Sequence, residues 1–251
     1  MPPRIALLTL LLLPSMLQGT NESTSTPALD QVNWNSPVYQ TGFDSETVLR
    51  DWRLEGGVSM RIENKRLLLE TKGINTAPAR DHHLVAWLEK EIPDNFYLEF
   101  DFRPKNKQQG LAIVFLNTRG IHGESIFDEN LAPRDGIFVQ YHSGDLNGYH
   151  LSYWSGERKG SNLRKNKGFH LVASGEDPVA SDTTDKFHRI GILKKDASIR
   201  YYVDNALALE YTDDGKEYGP AWINSGWIGL RQMDHAHWCE YDNLSIYPLL
   251  P

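Results

Sequence analysis

Apolar and polar residues alternate along most of this chain from Val38 onward. In "NFYLEFDFRP" (95–104), Phe96, Leu98, Phe100 and Phe102 fall on one side and Tyr97, Glu99, Asp101 and Arg103 on the other, the period of a half-buried strand. The same pattern predicts strands at "RLLLETK" (66–72), "HLVAWLE" (83–89), "GLAIVFLN" (110–117), "DGIFVQYH" (135–142), "GYHLSYWS" (148–155), "FHRIGILKK" (187–195), "SIRYYVD" (198–204), "ALALEY" (206–211), "GWIGLRQM" (226–233) and "HWCEYDNLSIY" (237–247). Turn residues separate these runs, and no stretch holds a 3.6-residue period long enough for a core helix. Strands this regular predict an all-β fold, two antiparallel sheets packed as a jelly-roll sandwich over about 38–248.

The N-terminal end breaks the pattern. Arg4, the apolar run "IALLTLLLLPSML" and the polar "QGTNEST" follow the grammar of a secretory signal peptide, expected over 1–19. The run is too short to span a bilayer. Residues 20–37 read as a flexible leader and 38–251 as a single domain of a secreted or periplasmic protein. Removing 1–19 leaves 251 − 19 = 232 residues, enough for one large core, and the loss of Arg4 takes the formal charge from −7 to −8. That acidity argues against nucleic acid or an anionic membrane as partner, since either calls for a broad basic face. Cys239 is the sole cysteine, which excludes an internal disulfide and a thiolate metal site. In "HWCEYDNL" it alternates with His237 and Tyr241 and is expected to pack unpaired, as a small apolar group.

Against this acidic background "SNLRKNKGFHLV" (161–172) stands apart. From Arg158 to His170 the chain carries five Lys or Arg and no acid. The segment reads as a loop at the rim of a sheet, anchored by the strand-like "GFHLVAS" that follows. Arg can grip a carboxylate or sulfate through two parallel hydrogen bonds, and Lys supplies a compact charge. Asn162 and Asn166 bracket these cations with amides suited to sugar hydroxyls. An exposed loop of solvated charges is the alternative. Neighbouring runs present faces that mix polar groups with large rings: His150, Ser152 and Trp154 oppose Tyr149, Leu151 and Tyr153, while Phe138, Gln140 and His142 oppose Val139 and Tyr141. Such a face suits a groove in which a ligand lies.

The closing cadence, "GWIGLRQM" and then "YDNL", resembles the concanavalin A-like lectin/glucanase jelly rolls. More narrowly, "GYHLSYWSG" followed by "SNLRKNKGFHLVASGED" resembles the YesU-like family, a domain of unknown function, over about Tyr39 to Pro248. The resemblance implies a secreted or cell-envelope protein acting on polysaccharide fragments, in the company of enzymes that degrade rhamnose- and uronate-containing glycans. A basic rim would pair with those anions.

Two classes of function stay open. A lyase or dehydratase removing the proton beside a uronate carboxylate needs that carboxylate neutralised, a base, and an acid for the leaving oxygen. Arg164 and Lys165 are candidates for the first role, His150 or His170 for the second, and Tyr153 or Tyr141 for the third. His150 and Tyr153 fall on opposite faces of one strand, so at most one lies in the groove. Substrate-binding candidates are Gln140, His142, Trp154, Asn162, Lys165, Lys167, Arg231 and His235. The other class is a lectin-like module that holds an acidic glycan with Trp154, Arg164 and Arg231 and does no chemistry. Hydrolysis by Glu99 and Asp101 is the further enzymatic option. The third acid of the glucanase pattern Glu-x-Asp-x-x-Glu is missing there, and Arg103 points instead to an ion-pair ladder. His235 and His237 have a spacing that metal sites use, but no carboxylate set accompanies them, so neither metal nor cofactor is expected. No phosphate loop and no Gly-x-Ser-x-Gly elbow occurs.

Overall fold

A computed structural model describes residues 27–71, 83–105 and 110–251. The expected signal peptide, the start of the leader and His82 lie outside the described residues. The strands, in chain order, are β1 (Tyr39–Thr41), β2 (Trp52–Gly56), β3 (Ser59–Glu63), β4 (Arg66–Glu70), β5 (Leu84–Leu88), β6 (Phe96–Pro104), β7 (Ala112–Gly120), β8 (Leu146–Tyr153), β9 (Gly160–Asn166), β10 (His170–Glu176), β11 (His188–Lys195), β12 (Ser198–Val203), β13 (Ala206–Thr212), β14 (Trp227–Gln232) and β15 (Trp238–Pro248). Two one-turn helices, α1 (Val139–His142) and α2 (Pro178–Ser181), lie between strands.

The strands form two antiparallel sheets, as the alternation predicts. One runs β13-β12-β11-β6-β15-β4-β3, with β1 on the second half of β15; the other runs β10-β9-β8-β7-β14-β5-β2. Between them lies one apolar core to which Phe96, Leu98, Phe100 and Phe102 of β6 all contribute. Phe102 sits among Tyr153, Trp154 and Tyr241, with ring centroids 5.0, 5.8 and 5.3 Å away. Cys239 is buried and unpaired in the same core, as expected. On the outer side of β6, Glu99 and Asp101 are bound by Arg189 at 3.2 and 2.7 Å, and Arg103 pairs with Glu240.

Three expectations need correction. "DGIFVQYH" is not a strand: it lies in a long connection that ends in α1, where Tyr141 is buried and Val139 exposed. "SNLRKN" is not a rim loop but most of β9, paired with β8 on one side and β10 on the other. The leader is attached before residue 37, since Val32 is buried and bridges to Leu249, and Trp34 packs edge-on against Tyr97 and Tyr247.

The connection 121–145 covers the outer face of the seven-stranded sheet. Ile126 and Tyr141 join Val85, Trp87, Ile113, Phe115 and Trp227 in a second apolar cluster, with Phe127, Leu131 and Phe138 packed against it. β5 is therefore buried at every position. Gly136 is needed at the closest approach: its φ is 101°, and a side chain there would collide with the His83 carbonyl.

Phe102→Ala is expected to lower unfolding stability by about 3–5 kcal/mol, because it empties the centre of the inter-sheet core. Urea denaturation of parent and variant measures the difference, and a loss below about 1 kcal/mol would contradict that placement.

Candidate functional site

Period-two geometry decides which residues share the outer face of the seven-stranded sheet. The register pairs His150 with Arg164 and with Phe115, and Ser152 with Asn162 and with Ile113, so all of these lie on the outer face. Arg231 of β14 lies on the same face, beside Ile113 and Val85. Tyr149, Leu151, Tyr153 and Leu163 point the other way, into the inter-sheet core.

The expected catalytic set divides accordingly. His150 and Arg164 come together. Tyr153 does not join them, being fully buried between the sheets. His170 pairs with Lys165 on the opposite side of β9 and stacks on Tyr218 at 4.0 Å and 9°. Trp154 also leaves the outward face: with φ 51° it turns out of β8 and packs in the core against Phe102.

His150 itself is closed off. It is 1% exposed, stacked by Phe169 at 5.7 Å and flanked by Phe115 and Phe138. Burial, and after it the charge of Arg164, holds its pKa down to about 3, so the ring is neutral. Phe169, at the tip of the β9–β10 hairpin, also packs on His142 and lies under the Arg164 guanidinium at 3.9 Å. Arg164 Nη1 donates to the Phe169 carbonyl at 2.9 Å. Phe169 was not singled out from the sequence, because its role arises only when the hairpin folds back onto α1.

The remaining binding candidates scatter. Gln140 faces away from the sheet: its side-chain oxygen accepts from the Asp135 amide, and it lines a separate cavity of about 280 Å³. His142 is half-buried in the Phe138 and Phe169 aromatic group, and burial, followed by the charges of Arg231 and Arg164, lowers its pKa. Lys167 is exposed at the hairpin tip. Asn162 stays on the outer face and accepts from Ser174 at 2.8 Å. Lys165 points inward to a buried pair with Asp213 at 2.7 Å, where Tyr149 also donates to Asp213 at 2.5 Å. It is therefore a structural ion.

Arg231 is fully buried, under Phe138 at 4.5 Å and Tyr141 at 5.0 Å. Its Nη2 donates to the Gly136 carbonyl at 3.0 Å, while Nε and Nη1 have no partner among the described residues. Burial lowers its pKa to about 10, which leaves it a cation at neutral pH.

Beyond the cover, the outer face ends in a cavity of about 510 Å³ lined by Gly110, Leu111, Ser155, Gly156, Glu157, Arg158 and His235. That volume lies within the range of small-ligand sites, roughly 300–1,000 Å³. Arg158 Nη2 donates to Ser152 Oγ at 3.0 Å, which joins the cavity wall to the sheet face. His235 stands not on a strand, as the His-x-His spacing suggested, but in the turn Asp234–Ala236; His237 follows with φ 62°. Its Nδ1 lies 3.1 Å from Oδ1 of buried Asp234. Arg158, Glu157 and Asp234 were missed as site residues. Arg158 was legible as the start of the basic run, whereas Asp234 carries no signal in the sequence.

Two outcomes are expected. A histidine whose pKa is about 3 in the fold and 6.5 unfolded protonates first in the unfolded chain. Its contribution is complete above pH 6.5 and is lost as pH falls towards 3. Between pH 7 and pH 4, His150→Leu should therefore lose less stability than the parent, by on the order of 2–3 kcal/mol in urea titrations; equal losses would mean that His150 titrates freely. Asp213→Ala, which strands the Lys165 ammonium, should cost about 3–5 kcal/mol, and Lys165→Met with Asp213→Leu clearly less. Additive losses in the double variant would show that the two ions do not act as a pair.

Residues 36–246 match the family described as domain of unknown function DUF1961. The uncharacterized protein YesU of Bacillus subtilis (strain 168) is 36% identical over 203 residues, 78% of this chain and 89% of that protein. A crystal structure of a protein of unknown function with galectin-like fold from Bacillus subtilis superposes with a TM-score of 0.77 at 33% identity, covering 86% of this chain and 97% of that one. A laminarinase from Rhodothermus marinus shares the fold at 11% identity, TM-score 0.56, over 86% of this chain and 98% of the other. Sequence and fold agree: the chain belongs to the DUF1961 family, on a jelly roll of the concanavalin A-like class.

Proposed function

We propose that this chain acts on anionic oligosaccharides, uronate- or sulfate-containing, by removing a proton beside the sugar carboxylate, as a lyase or dehydratase does. One observation carries the reading. Of the twelve described arginines, eight hold a carboxylate within 4.0 Å. The four with no such partner among the described residues are Arg50, Arg158, Arg164 and Arg231, and three of these stand on or beside the outer face of the seven-stranded sheet. In a chain of formal charge −7 with 33 acids, neutralisation would have been easy. Guanidiniums left without carboxylates repel one another, and burial, followed by the charge of Arg158, depresses the pKa of Arg164. An arriving anion relieves that repulsion and accepts paired hydrogen bonds.

The fold shared with a laminarinase supports a saccharide as the carrier of the anion. Neutralising a uronate carboxylate is also what makes the adjacent C–H acidic enough to lose its proton. Hydrolysis has less support, since Glu157 is the one carboxylate among the described residues lining the cavity and Glu99 and Asp101 are engaged by Arg189 on the other sheet. The charged-then-apolar start of the sequence supports action outside the cytoplasm, on released polysaccharide fragments.

Arg158→Ala is expected to raise the Kd for uronate oligosaccharides about 10- to 100-fold, the equivalent of roughly 1.5–3 kcal/mol for a charge-assisted hydrogen bond. Lys167→Ala, at the exposed hairpin tip, should change it less than about twofold. Titration calorimetry with uronate and neutral oligosaccharides of equal length decides the matter. Equal effects of the two substitutions, or equal affinity for the neutral sugar, would refute an anion site.

A further inference from the structure

We infer that His235 is the proton-transfer residue of this cavity and that Asp234 is its positioning residue; the inference rests on the anionic-saccharide reading above. β14 ends at Gln232, and the turn Asp234–Ala236 that follows is held from several sides. Thr71 Oγ donates to the Asp234 carbonyl at 2.7 Å, Gln232 Nε2 donates to the His237 carbonyl at 2.9 Å, and the Asp234 amide donates to His83 Nδ1 at 2.8 Å. This last bond fixes a proton assignment. His83 Nδ1 is an acceptor, so it does not donate to the Asp234 carboxylate 3.6 Å away. His235 Nδ1, at 3.1 Å, is the ring nitrogen placed to donate to Oδ1. With its proton on Nδ1, His235 keeps its lone pair on Nε2.

The environment on either side of the ring differs. Behind it, the Asp234 side chain is 3% exposed and its Oδ2 has no partner among the described residues. A buried carboxylate oxygen without a donor is expensive to keep, and its charge is directed at the adjacent imidazole. In front, the His235 side chain is 34% exposed and lines the cavity with Arg158 and Glu157. An accessible imidazole, oriented from behind by a buried carboxylate and faced by a cation, is the arrangement that general base catalysis next to a carboxylate requires.

The other described histidines lack this combination. His150 is sealed beneath Phe169, His142 packs in the same aromatic group, and His170 stacks on Tyr218 across the sheet. His188 is bonded to Asp204 on the eight-stranded sheet. His122 lines a cavity with Arg119 and Trp222 whose lining includes no carboxylate.

The step balances without a further reactant. His235 Nε2 takes the proton from C5 of a uronate whose carboxylate is paired with Arg158. The C5–H electron pair becomes the second bond of C4=C5, the C4–O bond breaks, and the leaving oxygen departs with that bond's electrons. It is then protonated by the imidazolium or by water. Carbon is neither oxidised nor reduced overall.

The test uses the full chain with oligosaccharides of galacturonate, glucuronate, mannuronate and guluronate. Calorimetry reads binding, and ultraviolet absorbance reads the new C4–C5 double bond. His235→Gln should lower kcat by at least about 100-fold and change Kd by less than about threefold. Asp234→Asn should lower kcat and move the acidic limb of the pH–rate profile to lower pH, because the imidazolium loses the carboxylate that stabilises it. Among the described residues, the charged and titratable groups around the ring are Asp234 and His83 behind it and Arg158 and Glu157 in the cavity. A purely structural Asp234 would reduce kcat without moving that limb. Should Asp234→Asn fail to fold, His235→Gln decides alone. If the parent binds a uronate oligosaccharide but forms no double bond, or if His235→Gln keeps kcat within threefold, the inference is overturned and the anion site stands. If the parent binds none of the four, the anionic-saccharide reading falls and takes the inference with it.

Discussion

The packing of segment 121–145 onto Trp87 and Phe115 is the contact on which the functional architecture depends. It converts a sheet with one wet face into a layer buried on both sides. Val85 and Trp87 can then be as apolar as Ala86 and Leu88, although they point away from the inter-sheet core. The same contact closes the middle of the outer face, and a cavity opens at the end formed by 110–111, 155–158 and His235. It also removes water from Arg231 and His150, whose properties follow from that desolvation: one remains a cation with unpartnered nitrogens, the other is held neutral.

Two buried cations of this sheet, Lys165 on β9 and Arg231 on β14, have opposite fates, and the contrast separates structure from function. Lys165 finds Asp213 and the Gly219 carbonyl, so its charge is matched, and Tyr149 donates to the same carboxylate. The network ties the 213–222 loop to the sheet. Arg231 finds one carbonyl and two ring faces. Cation–π contact recovers part of what water would have given, but it does not neutralise charge. Because matched ions are available in this fold, the unmatched guanidiniums are not a general habit of the sequence. Three of the four gather on or beside one face.

The period-two pattern made the inter-sheet core legible, down to the four outward and four inward positions of β6. It failed where backbone or tertiary contact breaks the period. Trp154 follows Ser152 in the alternation, yet a left-handed φ at its own position swings it to the other face. "DGIFVQYH" alternates like a strand, but its apolar positions serve a cover that is pinned at Gly136 and turns into α1. "SNLRKN" looked like a loop because its inward positions hold Ser161 and Lys165 beside Leu163, and a buried lysine does not register as apolar. Its outer positions, Asn162 and Arg164, do follow the alternation, and it is this strand register, not a rim loop, that sets Arg164 beside His150. Asp234 could not be found that way, since its importance lies in burial and in a partner supplied by a turn.

The site that results is built on connections rather than on strands, but these connections are not loose. The Met233 amide donates to the Leu111 carbonyl at 3.1 Å, joining the wall that carries His235 to the one that carries Leu111. The Ser155 amide donates to buried Asp177 at 3.0 Å, and the Lys159 amide to the Ser155 carbonyl at 2.8 Å, which fixes both ends of the segment bearing Glu157 and Arg158. Each polar group at the cavity therefore projects from a backbone already bonded at its root. Charges fixed in advance of ligand arrival need little reorganisation when a charge develops, and this is where electrostatic stabilisation is largest. A jelly roll gives two sheets and many connections; in this chain the cover closes the middle of one face, and preset polar groups meet at the end beyond it.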